Sequence, residues 1–175
     1  MQPFAENALT PTTGVPPQGS LHFGEEASQY LTFTLGPEEY GIELLKVQEI
    51  RGYSAITPIP NTPPHVKGVM NLRGTVIPVV DLRSKFAMEA VEYTKFTVII
   101  VASVGEKIVG LVVDAVSDVL SVSSRNIRPT PDFGARAATR FITGLATVGD
   151  HLAVLLDIEK LVSGDELAAL EPPTN

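Results

Sequence analysis

The sequence predicts an all-β protein made of two similar subdomains. Three observations support this prediction: apolar and polar residues alternate with a period of two, helical periodicity is scarce, and parts of the chain repeat. The first predicted strand begins at Tyr30 and places Leu31, Phe33 and Leu35 on one face. Gly36-Pro37 ends this strand in a turn, because neither residue continues a regular strand well.

The other predicted elements follow along the chain. A short helical turn is expected around residues 44–48. The clearest helix is expected at Asp165 to Leu170, with Ser163 or Gly164 before it and Pro172 after it. Runs rich in Val, Ile, Leu and Thr predict strands at Tyr40–Leu44, Val66–Asn71, Thr75–Leu82, Phe96–Val104, Lys107–Val113, Val116–Val122, Ile142–Val148 and Leu152–Ile158.

Two offsets along the chain superpose similar residues, which indicates an internal duplication. The first offset is 69 positions and the second is 76, and a loop of seven residues accounts for the difference. Each repeat would be a β subdomain of roughly 65 residues, which is marginal as an independent core, so the two are expected to pack together. The superposed pairs are Gly36 with Gly105, Gly41 with Gly110, Val47 with Val116, Glu49 with Asp118, Ile50 with Val119, Gly68 with Gly144, Val80 with Leu156, Asp81 with Asp157, and Leu82 with Ile158.

Composition excludes several classes of function. The 175 residues carry a formal net charge of −7 with only 13 lysines and arginines, which argues against a nucleic-acid partner. The absence of cysteine excludes disulfides and thiolate chemistry and suits a reducing compartment. The longest apolar run, Phe96 to Val104, is much shorter than the ~18 residues of a membrane span. We therefore expect a cytoplasmic protein without direct membrane insertion.

The two ends of the chain differ from its middle. Residues 1–27 contain several prolines and glycines and few apolar residues, which predicts a disordered tail. The folded region is expected at residues 28–170, followed by a flexible C-terminus at residues 171–175.

Two aspartates at the ends of predicted strands, Asp81 and Asp157, raise the hypothesis of a hydrolase with paired carboxylates. The residues after them lack the small hydroxyl residue and glycine of an aspartic-protease turn, so capping of the next segment is the simpler interpretation. His22, His65 and His151 have no second ligand at metal-binding spacing. An all-β chain of this kind is most simply a binding module, and a hydrolase with an unrecognised site remains the alternative.

Five stretches of the chain carry a family resemblance: "FTLGPEEYGIELLKVQEIRGY", "NTPPHVKGVMNLRGTVIPVVDLR", "KIVGLVVDAVSDVLSV", "IRPTPDF" and "FITGLATVGDHLAVLLDIEKL". In their order and spacing they resemble the CheW coupling proteins of bacterial chemotaxis. The resemblance runs from about Ser28 to Leu170.

The resemblance implies a fold of two five-stranded SH3-like β-barrels, at roughly residues 28–90 and 91–162, packed through a shared apolar layer. It implies a non-enzymatic scaffold without cofactor or metal. Such adaptors connect the helical cytoplasmic tip of methyl-accepting chemoreceptors to the regulatory domain of the histidine kinase CheA. The protein would be recruited from the cytoplasm to membrane-associated receptor arrays. At 175 residues the chain is expected to be the stand-alone adaptor.

The resemblance also gives a candidate receptor-binding site around the turn "NLRG". It makes Arg73 a functional position and Glu49 its ionic partner. Asn71 and Gly74 set the turn that presents the arginine. The alternative is an arginine that only solvates the turn.

Apolar contacts to a receptor helix are expected from Val47 and Ile50, beside this ion pair, in a cleft between the two barrels. The alternative is that both are plain core residues.

The kinase contact is expected in a loop at residues 58–68, which contains four prolines. Proline lowers the conformational entropy lost on docking, so such a loop is suited to binding another barrel. A plain connecting loop is the alternative interpretation. The candidate kinase-binding residues are Ile59, Thr62, Pro63, Val66 and Gly68.

Overall fold

The computed structural model describes residues 27–130 and 140–162, most of which lie in strands. The all-β prediction is confirmed. No helix in these residues is both long enough and apolar enough to cross a membrane. The strands are β1 Ala27–Leu35, β2 Glu38–Glu43, β3 Val47–Gly52, β4 Val66–Leu72, β5 Thr75–Asp81, β6 Val98–Val104, β7 Lys107–Val113, β8 Ala115–Ser123, β9 Ile127–Arg128, β10 Ile142–Val148 and β11 His151–Leu156.

The helical segments among the described residues are short. Helix α1 is Leu82–Lys85, helix α2 is Ile158–Leu161, and 3₁₀ turns lie at Leu44–Lys46 and Ser124–Asn126. The first 3₁₀ turn confirms the helical turn predicted there. Residues 1–26 of the predicted tail, the helix at residues 165–170 and the C-terminus at residues 171–175 lie outside the described residues, and Ala27 already belongs to β1.

The strands form two sheets. The first sheet has the order β8-β1-β2-β11-β10-β9, and the second has the order β3-β6-β7-β5-β4. Most neighbours are antiparallel, but β11 pairs with β2, and β5 with β7, in parallel. The strand order is open in both sheets. The first sheet also contains a sixth strand, β9, so the expectation of two five-stranded units needs this correction.

Each sheet combines strands from both halves of the chain. The first sheet takes β1 and β2 from the first half, whereas the second sheet takes β6 and β7 from the second half. A division of the sequence at residue 90 therefore separates the two repeats but not the two sheets. The ranges 28–90 and 91–162 are intertwined, because each contributes strands to both sheets.

The structure confirms the internal duplication. Gly36 and Gly105 occupy equivalent hairpin turns with φ values of 63° and 61°. The single bridge between Thr57 and Val69 in the second sheet corresponds to the pairing of β9 with β10 in the first sheet. The two sheets therefore have the same strand arrangement, although within residues 27–130 and 140–162 only the first sheet has a regular sixth strand.

Asp81 and Asp157 are N-caps of the two short helices, as the capping interpretation predicts. Oδ1 of Asp81 accepts a hydrogen bond from the Arg83 amide at 2.9 Å, and Oδ1 of Asp157 accepts one from the Glu159 amide at 2.9 Å. Oδ2 of Asp81 also accepts a hydrogen bond from the Tyr93 hydroxyl at 2.8 Å. These roles remove the observation on which the paired-aspartate hydrolase hypothesis rested.

The largest apolar cluster lies between the two sheets and is the shared layer that the family resemblance implies. It contains Leu31 and Phe33 from the first sheet and Ile100 and Leu111 from the second, all essentially buried. A second cluster, which includes Ile77 and Val101, lies on the opposite face of the second sheet. A third, smaller cluster lies on the opposite face of the first sheet. Each sheet therefore has buried apolar side chains on both faces.

Candidate binding surfaces

The hairpin between β4 and β5 presents Arg73 at its tip. Leu72 pairs with Thr75, so Arg73 and Gly74 are the two turn residues, with φ values of 51° and 89°. Two positive φ values are typical of the type I′ turn that favours the twist of a β-hairpin. Oδ1 of Asn71 accepts a hydrogen bond from the Gly74 amide at 2.8 Å, which fixes the turn from its side.

A β-bulge in β3 brings Glu49 to the face on which Arg73 lies. Val47 pairs with Ala102, but Glu49 pairs with Val101, so Gln48 is the extra residue. Residues two apart share a face in a regular strand, but the bulge places Val47 and Glu49 on opposite faces. Glu49 shares the face of Val101, whereas Val47 faces the shared apolar layer.

The structure brings Glu49 and Arg73 together as an ion pair. Nη2 of Arg73 lies 2.7 Å from Oε2 of Glu49, and Nη1 of Arg51 lies 3.8 Å from Oε1. The Arg73 side chain is 67% exposed and that of Glu49 is 27% exposed. Oε2 of Glu49 is itself shielded from solvent, so its close contact with Arg73 compensates for the burial of this charged atom.

The ion pair shifts the titration of both groups. The contact with Arg73 lowers the pKa of Glu49 below its ordinary value, although partial desolvation of the carboxylate acts in the opposite direction. The contact with Glu49 likewise raises the pKa of Arg73. Since β3 and β4 are opposite edges of the second sheet, this charged pair connects the two edges of an open sheet.

Val47 and Ile50 lie on the other face of β3, away from the ion pair. Val47 is half-buried against the shared layer, so it contributes to the core as well as to the surface. Ile50 is paired with Ile100 and remains 44% exposed, which argues against a plain core role. The five predicted receptor-binding residues therefore form two groups, with Glu49, Arg73 and Gly74 on one side of β3 and the two apolar residues on the other.

Two further exposed apolar residues, in the 3₁₀ turn before β3 and in β8, were not predicted. Leu45, in the 3₁₀ turn that leads into β3, is 99% exposed. Val119 in β8 is 44% exposed, as Ile50 is, and it pairs with Leu31 on the face of the first sheet that borders the shared layer. The offset of 69 residues, which superposes Val119 on Ile50, is the sequence signal that could have identified it. No comparable signal marks Leu45.

Backbone hydrogen bonds attach the segment before the proposed kinase-binding loop to β4. Thr57 and Val69 exchange two backbone hydrogen bonds of 2.9 Å, and Gly68 lies against the Thr57 carbonyl with a φ of 143°. A Cβ atom on Gly68 would lie 2.0 Å from that oxygen, so only glycine permits the approach.

Within this loop the side chains have different roles. Oγ1 of Thr62 donates a hydrogen bond to the Ile59 carbonyl at 3.1 Å, and the Val66 amide donates one to the Pro63 carbonyl at 3.0 Å. Ile59, Thr62 and Pro63 are half-buried and reach the surface, whereas Val66 and Gly68 are buried. The structure therefore makes Val66 and Gly68 supports of the loop rather than contact residues.

Comparison with known proteins identifies the family. The model of the CheW-like domain matches residues 29–166, which is most of the chain. The chain belongs to the CheW family. Chemotaxis protein CheW of Klebsiella aerogenes is 53% identical over 149 residues, covering 85% of this chain and 90% of the relative. Chemotaxis protein CheW of Rhizobium meliloti is 38% identical over 148 residues, covering 85% and 96%.

A solved CheW structure has the same fold. The crystal structure of the scaffolding protein TtCheW from Thermoanaerobacter tengcongensis matches with a TM-score of 0.73 and 30% sequence identity, covering 83% of this chain and 94% of that chain. The SH3-like architecture implied by the resemblance is consistent with this match, although the two sheets here are not closed barrels. This protein is therefore a chemotaxis scaffold of the CheW family.

Proposed function

We propose that this protein is a non-enzymatic adaptor that couples the cytoplasmic tips of chemoreceptors to the regulatory domain of the histidine kinase CheA, at receptor arrays in the cytoplasm. Membership of the CheW family supports the general role. The observation that carries the receptor contact is the position of Arg73, which is exposed, paired with Glu49 and held at a positive φ. A residue that only solvated the turn would not require this conformation, which Asn or Gly adopts more readily.

The receptor surface combines an apolar and a charged part. Ile50 and Val119 expose apolar atoms on the inner faces of the two sheets, and Val47 packs against the shared core. A receptor hairpin is helical, and apolar side chains at spacings of three and four residues dock well into such a border between elements. Glu49 and Arg73 would then orient the helix by charge, because complementary charges across an interface contribute to specificity more than to affinity.

The kinase contact is assigned to the exposed part of the loop at residues 58–65. Ile59, Thr62 and Pro63 reach the surface, and the bridge to β4 holds the loop in one position. A rigid loop loses little conformational entropy on docking, which favours binding to another folded domain. The loop enters β4 at Val66, whereas Arg73 follows the other end of this seven-residue strand, after Leu72. The two partners would thus use separate surfaces.

Replacement of Arg73 by glutamate tests the proposal. It places two like charges together at a partly exposed site, so the free energy of unfolding should fall by only ~1 kcal/mol. Affinity for a soluble receptor-tip fragment should fall by roughly 2 kcal/mol or more, because interface energy concentrates in a few residues. Affinity for CheA should be unchanged. The measurements are the two dissociation constants, the thermal midpoint, and kinase activity with and without receptor.

The matched control is Lys95→Glu, which makes the same change of charge at an exposed site outside the proposed surfaces. It should leave both affinities unchanged. Unchanged receptor binding by the Arg73→Glu variant would mean that the arginine only solvates the turn. If the wild-type protein alters neither kinase activity nor its control by receptor, the adaptor function itself is wrong.

A further inference from the structure

Asp81, the last residue of β5, holds the end of the proposed kinase-binding loop. Its amide donates a hydrogen bond of 2.8 Å to the carbonyl of His65, the residue immediately before β4. This bond continues the pairing of β4 with β5, in which Val66 lies opposite Val80. The position of Asp81 therefore determines where the loop at residues 58–65 ends.

The side chain of Asp81 is buried and has two sets of hydrogen-bond donors. It is 9% exposed, and Oδ1 accepts hydrogen bonds from two amides at the start of α1. Oδ2 accepts the hydrogen bond of 2.8 Å from the Tyr93 hydroxyl. Partial burial of Tyr93 and its bond to Asp81 both raise the pKa of the tyrosine, so the hydroxyl is a donor at neutral pH. A buried carboxylate requires such donors, because an unsatisfied charge inside a protein is costly.

Tyr93 lies in the segment between α1 and β6, at residues 86–97, and is held there by two further contacts. Its ring packs on the ring of Tyr53, with the centroids 4.2 Å apart and an interplanar angle of 46°. Nζ of Lys67, the second residue of β4, lies 5.8 Å from the centroid of the Tyr93 ring. These contacts fix the ring, so the hydroxyl meets Asp81 in one orientation.

The second repeat provides an internal comparison. Asp157 corresponds to Asp81 at the offset of 76 positions, and its amide likewise donates a hydrogen bond of 2.8 Å, to the Phe141 carbonyl. Its Oδ1 caps α2, but within residues 27–130 and 140–162 no side chain donates a hydrogen bond to Asp157. The cap and the bond to the carbonyl therefore form without a tyrosine. The Tyr93 hydroxyl is an additional contact in the repeat that carries the proposed kinase-binding loop.

We propose that Tyr93 is a positioning residue for the kinase contact: through Asp81 it holds the loop at residues 58–65 in the conformation that binds CheA. The inference rests on the proposed function. A loop that is already held in one conformation loses less entropy when it docks. Without the hydroxyl, Oδ2 of Asp81 loses its donor, and movement of Asp81 to find another would break the bond to the His65 carbonyl.

Tyr93→Phe tests the proposal, because it removes the hydroxyl and keeps the ring on Tyr53. Affinity for CheA should fall about fivefold, since a hydrogen bond to a charged group is lost and the loop is less ordered. Affinity for a soluble receptor-tip fragment should be unchanged. Relative to the change in global stability, hydrogen exchange should become faster at the Asp81 amide and not at the Asp157 amide. Titration calorimetry and NMR measure these effects.

Two controls separate positioning from a general loss of stability. Tyr40→Phe makes the same chemical change at a half-buried tyrosine that packs against the shared layer, and Asp157→Asn weakens the equivalent helix cap. Both variants should bind CheA like the wild type, even where the thermal midpoint falls. Equal loss of CheA affinity in Asp157→Asn, or equal loss of both affinities in Tyr93→Phe, would show a purely structural role and overturn the proposal.

A variant of the loop itself separates this proposal from the proposed function. Ile59→Asp places a charge on the surface part of the loop and should weaken CheA binding at least about tenfold. If Tyr93→Phe binds CheA like the wild type while Ile59→Asp does not, the positioning role is wrong but the kinase surface stands. If Ile59→Asp binds CheA normally, the proposed kinase surface fails, and the positioning role fails with it.

Discussion

At the scale of single residues, the proposed receptor site has an arginine at a backbone conformation that arginine rarely adopts. Arginine is an unfavourable residue at a φ of 51°, and the neighbouring type I′ position is already filled by Gly74. Glu49 reaches the arginine only because Gln48 is an extra residue in β3. The resemblance to the CheW family predicted the pairing of Glu49 with Arg73, but no sequence pattern indicated the bulge, since a bulge depends on the strand opposite.

Because the turn conformation does not favour arginine, we expect Arg73→Asn to weaken receptor binding while it leaves the stability of the fold nearly unchanged. Asn tolerates the left-handed turn, which gains up to ~1 kcal/mol, and loss of an exposed ion pair costs about 0 to 1 kcal/mol. The free energy of unfolding should therefore stay within about 1 kcal/mol of the wild type, while affinity for the receptor fragment falls at least roughly tenfold. Chemical denaturation and fragment binding measure the two effects.

The matched control is a substitution that removes backbone strain at another residue with a positive φ. Ala87 has a φ of 59° just after α1, and Ala87→Gly should raise stability modestly without changing receptor affinity. Receptor affinity retained in Arg73→Asn would contradict the functional role of the arginine. A large loss of stability would instead assign the residue to the fold.

At the scale of elements, Gly68 determines where the proposed kinase loop lies. Gly144, its equivalent in the second repeat, similarly lies close to the Arg128 carbonyl, so both repeats have a glycine where another segment pairs closely with the strand. The offset of 76 residues identified this pair from sequence. The sequence did not show why glycine is needed at these positions, because the pairing of Thr57 and Arg128 with the two strands leaves no local pattern.

Substitution of Gly68 by alanine should be strongly destabilising. The added Cβ would meet the Thr57 backbone at 2.0 Å, and the φ of 143° is unfavourable for any L-residue. We expect a loss of about 2 to 3 kcal/mol and weaker binding of CheA, because the loop must move. Gly52→Ala is the control, since nothing lies within 4 Å of its Cβ position. Wild-type stability in the Gly68→Ala variant would show that the close contact between Gly68 and the Thr57 backbone is not required.

A second element-scale feature connects the two sheets. Asp114 lies between β7 of the second sheet and β8 of the first, and Arg83 in α1 binds it through two contacts of 2.8 and 2.7 Å. The Gly36 amide donates a third hydrogen bond to Asp114 at 2.8 Å. The Arg83 contact lowers the pKa of Asp114, the Gly36 amide adds to this, and partial burial opposes it.

The lowered pKa fixes the direction of a pH effect. A carboxylate whose folded pKa is depressed stabilises the fold fully above its ordinary pKa of about 4, and this contribution is lost as pH falls toward the folded value. Asp114→Asn should destabilise the protein by about 2 kcal/mol at neutral pH, and the difference from wild type should shrink below about pH 4. Denaturation curves at several pH values measure it. Asp150→Asn, at a fully exposed turn, is the control, and a difference independent of pH would contradict the assignment.

At the scale of the whole molecule, the sequence predicted most strands but not how they pair. Period-two alternation reports which residues share a face, so the strands of the buried cores were found. Strand β3 was missed, because its charged residues and its bulge obscure the alternation. Pairing between distant strands leaves no local signal, so the exchange of strands between the repeats was not predictable from their individual patterns.

This exchange predicts how the chain responds to a cut between the repeats. Among the strands that the structure describes, those of one half pair with each other only as hairpins and as β9 with β10. The pairs β1–β8, β3–β6, β5–β7 and β2–β11 all join one half to the other. Isolated hairpins are marginal in water, so neither half should fold alone.

A protease site between Ala90 and Val91, both exposed, allows the cut to be made in the folded protein. The nicked protein should keep its circular dichroism spectrum and migrate as one species, and its thermal midpoint should rise with concentration because unfolding now separates two chains. After separation in denaturant, each half alone should lack cooperative unfolding, and mixing should restore it. The uncut protein with the same insertion controls for the inserted residues. Cooperative folding of either half by itself would show that a single repeat is an independent unit, because that half would then form a core without the strands of the other half.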